Sequence, residues 1–574
     1  MGLFKKYLKP FFGRMAIGFA IKVAGTLAEL MLPYILTHIL KKVVLNENIY
    51  EIILWGGIMI FFSAMACVCN IVANRMAAKV SKNFAQSVRQ DLFIKTLRLS
   101  AVQTDDFTIP SLESRITTDT YNVHHFTNMM QRLGVRAPIM LIGGLAITLF
   151  MDAYLSLAMI ALLPFIFVTV YFISRKGVPL YTKVQKSVDG MIRVVREDLQ
   201  GIRVIKALSR TDYEHKRYDR VNKNLIRDEV HAGMIMGTVN PIMTLLMNVG
   251  IVAVIALSAS RVSKNLSDPE TVIAFMQYFT LISMAMMSVT RMFVMYTKSA
   301  ASAGRINEIL QCEDPISVKS KEQYPDISTD AHIMFDNVSF SYKGKKNNLS
   351  NISFSVKKGG SVGIIGATGS GKSTIVKLLL RFYDTDSGNI YINGENIRTI
   401  DKPRLYKMFG SCQQNDFLYA DTIEENIKFG RNVSFEQVVK AARIAQADDF
   451  INAFPEGYNH MLSPHGTNIS GGQKQRVLMS RALAARPDIL ILDDSSSALD
   501  YRTDAMLRIA LAENLEDMTL VTIAQRVSSV KDSDVIIVID EGEIIGAGTH
   551  DYLLEYCQPY KEISDSQMGG AFID

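Results

Sequence analysis

The stretch "GIIGATGSGKST", Gly363 to Thr374, decides how the second half of this chain folds. An apolar run of β type enters a glycine-rich turn and a helix-forming run leaves it, with the spacing GxxxxGKS from Gly366 to Ser373. That arrangement is a phosphate cradle. Gly366, Gly369 and Gly371, with Ser370 among them and Thr374 just beyond, leave backbone N–H groups facing an anion. Lys372 reaches the β and γ oxygens and the Ser373 hydroxyl ligates Mg²⁺. A P-loop by itself does not say which nucleotide triphosphatase it serves.

Downstream, "ILILDDSSSALD", Ile489 to Asp500, runs four apolar residues into an aspartate, as a buried strand does when it delivers a carboxylate to a bound Mg²⁺. The carboxylate is Asp493, and Asp494 follows it. Between these two motifs lies "NISGGQKQR", Asn468 to Arg476, where Ser470, Gly471 and Gly472 open a helix. A hydroxyl, bare amides and the positive end of the helix dipole there suit an anion. Short β-type runs alternate with helical ones from "IMFDNVSFSY" onward, which is the grammar of an α/β nucleotide-binding domain.

The first half reads differently. The chain has 574 residues, 48% of them hydrophobic, with a mean hydropathy of +0.15, and the apolar residues gather before the P-loop half. Six segments, near 14–40, 52–74, 137–151, 154–173, 230–260 and 271–297, are long enough to be spans, since a helix crosses a bilayer in roughly 20 residues. Only "MDAY" separates the third from the fourth, which demands a tight hairpin. Long charged stretches nearly free of Gly and Pro follow spans two and four and read as helices extending out of the membrane. They hold most of this half's basic residues, which places them, both termini and the nucleotide-binding domain in the cytoplasm. The segment Ile309 to His332, rich in Pro, Ser and mixed charge, reads as a linker. The expected domains are therefore 1–308 in the membrane, 309–330 as linker and 331–574 as the nucleotide-binding domain.

The net charge of +6 comes without a block of Lys/Arg interleaved with aromatics, so no nucleic-acid partner is expected. The five cysteines are scattered without paired spacings, which argues against structural disulfides. Lys22 and Glu29 interrupt the first span about two turns apart. Lys22 is expected to snorkel to the inner headgroups. Glu29 lies deeper, as a candidate for the substrate cavity, where it would favour cationic compounds, or as one half of a structural pair with another helix.

Phosphate loop, "SGGQ" and "ILILDD", in this order, resemble the ATP-binding cassette (ABC) family, and the resemblance covers essentially the whole chain. "SAASAGRINEIL", Ser299 to Leu310, is similar to the end of an exporter's sixth helix; Leu112 to Val123 and Glu197 to Asp219 resemble the two cytoplasmic loops. The implied fold is an α-helical six-span transmembrane domain with long cytoplasmic helical extensions, followed by an α/β P-loop ABC ATPase domain. The implied ligands are ATP and Mg²⁺. Tyr342 resembles the aromatic that stacks on adenine, Gln414 the glutamine that senses Mg²⁺ and the attacking water, and Asp493 the aspartate on the Mg²⁺ side. Gln413 fills a place that is usually proline, which leaves the glutamine's assignment open by one position. Ser470, Gly471, Gly472 and Gln473 match the signature that binds ATP held by the opposite subunit, and Asp500 matches the aspartate that crosses toward the other site.

Three positions depart from the family's pattern. Asp494 stands where the catalytic base is Glu, Gln525 where the switch residue is His, and "SPHG" with Pro464 replaces an acidic loop. A base one methylene shorter reaches its water less well. The pattern resembles the degenerate half of a heterodimeric bacterial multidrug exporter in the plasma membrane. Its partner would be a second half-transporter with Glu and His at those places, and its substrate a small amphipathic compound. A homodimeric lipid or peptide exporter, an uptake system on the same scaffold and a nucleotide-binding sensor are the alternatives.

Overall fold

The computed structural model describes residues 2–44, 48–263, 269–342, 344, 347–414, 416–495, 497–514 and 517–568. They form two compact units: one holds the chain up to Arg98 together with Phe107–Cys312, the other Leu99–Asp106 together with the chain from Glu313 onward.

The first unit is helical. Its long helices are α1 (Phe12–His38), α2 (Ile49–Leu97), α3 (Thr120–Met151), α4 (Ala153–Gln200), α5 (Thr211–Gly237), α6 (Val239–Val262) and α7 (Pro269–Gln311). Among the described residues, five helical runs are long and apolar enough to cross a membrane, and α4 carries a shorter apolar run, Ala153–Thr169. The 49 residues of α2 would extend about 73 Å as a straight helix, more than twice a hydrocarbon core of about 30 Å. The "MDAY" hairpin is made by one residue: Asp152 leaves the helical region, and its Oδ1 accepts from the N–H groups of Tyr154 and Leu155 at 3.0 and 3.2 Å. That capping starts α4 directly after α3 ends.

Two further features explain charged residues in this unit. Between α4 and α5 the chain makes a short helix, Ile202–Ala207, and Arg217 of α5 reaches back to Glu197 of α4. Near the end of α7, the buried carboxylate of Asp119 accepts from Arg305 Nε at 2.8 Å and from Ser302 Oγ at 2.8 Å. Arg115 donates to Glu308 at 2.7 Å. The segment "SRITTD" thus grips "SAGRINE", which accounts for the charges in both sequence stretches.

The second unit contains two sheets. An antiparallel sheet has the order β2-β1-β4-β5, from β1 (Ala331–Phe340), β2 (Leu349–Lys357), β4 (Ser387–Ile392) and β5 (Glu395–Asn396). The larger sheet has the order β10-β9-β3-β8-β7-β6, from β3 (Ser361–Gly366), β6 (Phe409–Cys412), β7 (Ile489–Asp493), β8 (Thr519–Ile523), β9 (Val535–Asp540) and β10 (Glu543–Gly548). All its pairings are parallel except β10 with β9. Every residue of β7 is buried, as expected for a strand inside a parallel sheet covered on both faces. The helices that matter for the site are α8 (Lys372–Leu379), α9 (Gly471–Leu483), α10 (Tyr501–Asn514) and α11 (Gln558–Met568).

The units divide later than the composition suggests, because α7 runs on to Gln311. The irregular segment after it is tied down: Lys319 N–H donates to Arg398 O and Ile327 N–H to Gly394 O, both at 2.8 Å, and Arg381 donates to Ser317 O at 2.7 Å. Leu99–Asp106 also belongs to this unit, although it lies far upstream in sequence. Ala101 and Val102 pack on its core, and Gln103 Nε2 donates to Glu313 O at 2.6 Å.

Candidate active site

The phosphate loop joins β3 to α8. Gly371 has φ +107, and a Cβ there would lie 2.7 Å from Leu349 Cδ2 and 2.9 Å from Asn348 O, so no other residue fits. Lys372 Nζ donates to the carbonyls of Gly366 and Ala367 at 2.9 and 2.7 Å. Burial lowers the Lys372 ammonium from its ordinary value, against the pull of Asp493 and Asp494. Ser370, in the loop, is 4% exposed, and its hydroxyl has no partner among the described residues. A buried hydroxyl inside a turn of backbone amides fits a phosphate oxygen.

Ser373 Oγ donates to Asp493 Oδ1 at 3.3 Å, which places the two candidate Mg²⁺ ligands side by side. Burial raises the Asp493 carboxyl, and the Ser373 hydrogen bond opposes that. Asp494, the residue after β7 ends, takes φ +51. Its Oδ2 accepts from Gln414 Nε2 at 3.4 Å and from Gln525 Nε2 at 3.3 Å. Both contacts are long for hydrogen bonds. The three residues that the sequence placed on three separate motifs therefore meet on one carboxylate oxygen. Gln413 uses its backbone N–H toward Asp416, at 2.9 Å, and not its side chain toward Asp494.

Tyr342 lies at the edge of the loop. Its hydroxyl donates to Thr374 Oγ1 at 3.3 Å, and its ring is half-exposed. The ring meets that of Tyr383 edge-on at 5.1 Å between centroids, and Tyr383 donates to Asp105 Oδ2 at 2.5 Å. The upstream segment Leu99–Asp106 thus supports the candidate adenine platform through one intermediate ring.

Comparison with known proteins decides the family. Residues 15–286 match the ABC transporter transmembrane region and residues 349–497 the ABC transporter family. The uncharacterized ABC transporter ATP-binding protein YfiB of Bacillus subtilis (strain 168) is 33% identical over 565 residues, 98% of each chain. The uncharacterized ABC transporter ATP-binding protein MT1311 of Mycobacterium tuberculosis is 30% identical over 578 residues, 100% of this chain and 99% of that one. The chain belongs to the ABC transporter family. A solved bacterial Atm1-family ABC exporter with ATP bound shares its fold, with a TM-score of 0.80 over 98% of each chain at 23% identity. The transporter is accordingly a multi-pass membrane protein that hydrolyses ATP to drive transport. With one membrane unit and one ATPase unit, it is a half-transporter that works with a second ABC subunit.

The transporter's signature is built separately from its phosphate loop. Ser470 caps α9 in a reciprocal box: its Oγ accepts from Gln473 N–H at 3.3 Å, and Ser470 N–H donates to Gln473 Oε1 at 2.9 Å. Among the described residues, no hydrogen bond joins Ser470–Gln473 to Gly366–Thr374. The helix instead packs on the turn before α10, where Ala498 N–H donates to Gln475 Oε1 at 3.2 Å and a Cβ on Gly472 would meet Ala498 O at 3.0 Å. Asp500 starts α10 by accepting from Thr503 N–H at 2.9 Å and Thr503 Oγ1 at 2.8 Å. The Thr503 N–H holds that carboxyl below its usual range.

Besides Tyr383 and Asp105, sequence reading missed Gln567. Gln567 of α11 donates from Nε2 to Gln525 O at 2.8 Å and accepts from Val527 N–H at 2.8 Å. It clamps the backbone on both sides of Arg526, and so fixes where Gln525 points. Nothing in the local sequence marks a residue about forty positions away as its partner.

In the membrane unit, Lys22 departs from expectation. It does not snorkel: it is 4% exposed and its Nζ donates to Asn70 Oδ1 at 2.7 Å and Asn74 Oδ1 at 3.1 Å. The cause is close helix packing at Gly25, where a Cβ would lie 2.8 Å from Cys69 Cβ, so α2 brings two amide acceptors within reach of the ammonium. Glu29 accepts from Arg136 of α3 at 2.5 Å, the pairing with another helix that stood as one of its two readings.

Proposed function

We propose that the transporter is one half of a heterodimeric exporter of amphipathic or hydrophobic compounds, of the multidrug type. Its ATPase domain and both termini would face the cytoplasm of a bacterium. The observation that carries this reading is the environment of Asp494. A general base needs a free lone pair aimed at water. The Asp494 oxygen is met by two side-chain amides that donate and cannot take a proton, and Gln525 offers no titratable ring where the family has histidine. The signature, by contrast, has its hydroxyl, glycines and capping box in place.

In this reading the transporter's own residues hold ATP and Mg²⁺ without turning ATP over quickly. The amides of Gly366–Gly371 and Lys372 would hold the phosphates, Ser373, Asp493 and Gln414 would hold the metal, and Tyr342 would take the adenine. Ser470, Gly471, Gly472 and Gln473, with Asp500, serve the ATP site whose base belongs to the second subunit. Closure of the two ATPase domains on ATP then shifts the membrane units between inward and outward access.

One observation favours a homodimeric lipid or peptide exporter instead. Burial raises the Asp494 carboxyl, against Lys372 and Arg526, and a raised carboxyl is the better proton acceptor. The deciding experiment is the steady-state ATPase of the purified chain alone and with a second ABC subunit carrying Glu and His. Heterodimer function predicts activity at least tenfold higher for the pair. Full activity of the chain alone would establish the homodimer.

A further inference from the structure

The membrane unit contains a polar cluster with more cations than anions. Lys22 on α1, and Arg132 and Arg136 on α3, converge on Asn70 and Asn74 of α2 and on Glu29, the one carboxylate among them. Asn74 Oδ1 accepts from both Lys22 Nζ, at 3.1 Å, and Arg132 Nε, at 3.3 Å. Glu29 offsets Arg136. Among the described residues, the hydrogen-bond partners of Lys22 and Arg132 are amide oxygens.

Lys22 and Glu29 lie within the first expected span and Arg132 and Arg136 just before the third, and a buried charge without a counter-charge is expensive there. The cluster is left open at named atoms. Arg136 Nε is buried and has no hydrogen-bond partner among the described residues, and it is the donor an anion could take; Glu29 Oε2, also without a partner, calls for a donor instead. Arg136 also faces a cavity of about 60 Å³ whose walls include Leu133, Met140, Leu281, Met284 and Ser288. Arg132 is exposed beside the cluster, and Arg291 of α7, less than a turn beyond Ser288, is exposed as well.

We propose that this cluster binds the phosphate-bearing head of an anionic amphiphile. A phosphate supplies the negative charge that the amide partners of Lys22 and Arg132 lack and an acceptor for Arg136 Nε, and guanidinium groups suit it through paired N–H donors. The Leu and Met side chains beside Arg136 suit an acyl chain attached to that head. The proposal deepens the exporter reading by naming its substrate class, and it rests on that reading. It also reverses the charge preference expected from Glu29 alone, since Arg136 already takes that carboxylate.

The test is native mass spectrometry of the full-length chain in neutral detergent, with dioleoyl phosphatidic acid and dioleoyl phosphatidylcholine as probes. Phosphatidic acid should bind at least tenfold more tightly. Arg132→Gln should reduce that preference about threefold or more, Arg132→Lys should retain most of it, and Lys82→Gln, an exposed cation of α2 outside the cluster, should leave it intact. The double change Glu29→Gln with Arg136→Gln removes both partners of the pair, so neither is stranded, and it too should lower the preference. Equal binding of the two lipids, or a preference that Arg132→Gln and the double change leave untouched, would overturn the proposal. Displacement of phosphatidic acid by millimolar inorganic phosphate would assign the site to free phosphate and overturn the amphiphile. Because binding to this chain alone is read, the outcome does not depend on which subunit hydrolyses ATP.

Discussion

Ser470 has a capping role within its own chain and, in the heterodimer, a phosphate-binding role toward the other, and two substitutions separate them. The cap is the hydrogen bond from Gln473 N–H to Ser470 Oγ. Ser470→Ala removes it, at about 1 kcal/mol, which should lower the melting temperature by about 2–4 °C for a unit of this size. Ser470→Asp keeps a capping oxygen, and its charge suits a helix N-terminus, so melting should stay near that of the unaltered protein. The phosphate role predicts the opposite ranking. Losing one donor toward a developing negative charge costs about 10²-fold or more in turnover, and a carboxylate in its place adds repulsion. Steady-state ATPase of the heterodimer, altered in this subunit only, should therefore fall about 10²-fold with Ala and further with Asp. If Ser470→Asp keeps activity within about twofold, the signature has no phosphate to bind and the division of labour fails. If activity merely follows melting, Ser470 is a cap and nothing more.

Other expectations can be checked on the same material. Asp494→Asn should lower the ATPase of the pair less than about threefold, because a base engaged by two amides contributes little transition-state stabilisation; complete loss would make this the working site. Gln567→Ala removes two hydrogen bonds, each worth about 0.5–1.5 kcal/mol. Hydrogen exchange at Val527 N–H should quicken about tenfold or more while ATP affinity holds, and unchanged exchange would show that α11 does not hold this loop. Asp493→Asn tests the effect of burial. A carboxyl raised in the folded state stabilises the fold most at low pH, and that contribution is lost as pH rises through its raised value. The variant should therefore melt higher than the unaltered chain at pH 7, with the gap shrinking toward about pH 4. A gap that grows on acidification would contradict the burial argument.

What could be read from the sequence depended on how far apart the interacting residues lie. Lys372 and Ser373 were legible because a phosphate loop is a local object whose spacing sets its shape, and β7 was legible because a strand buried on both faces is a run of apolar residues ending at Asp493. Asp494, Gln414 and Gln525 lie on three strands' ends, and only resemblance to a family connected them. Gln567 and the Tyr342–Tyr383–Asp105 chain carry no local signal. Lys22 misled for a different reason: hydropathy describes one helix at a time, whereas its surroundings are set by Asn70 and Asn74 on the next. The linker looked free because its composition forms neither helix nor strand, yet its backbone groups find partners at Arg398 and Gly394.

The segment Leu99–Asp106 imposes an order on biosynthesis. It completes a unit whose remaining residues begin at Glu313, and Asp105 is separated from Tyr383 by 278 positions. At about 5–20 residues per second, a ribosome needs roughly fifteen seconds to a minute to bridge that gap. Throughout that interval the nascent chain must carry Ala101, Val102 and Gln103 without the surface they settle on. A gene fragment encoding the ATPase portion from Glu313 onward would never supply them. Such a fragment should express as a less soluble protein than one to which the eight-residue peptide is restored, and the full transporter should be most prone to proteolysis at this segment while translation is still under way.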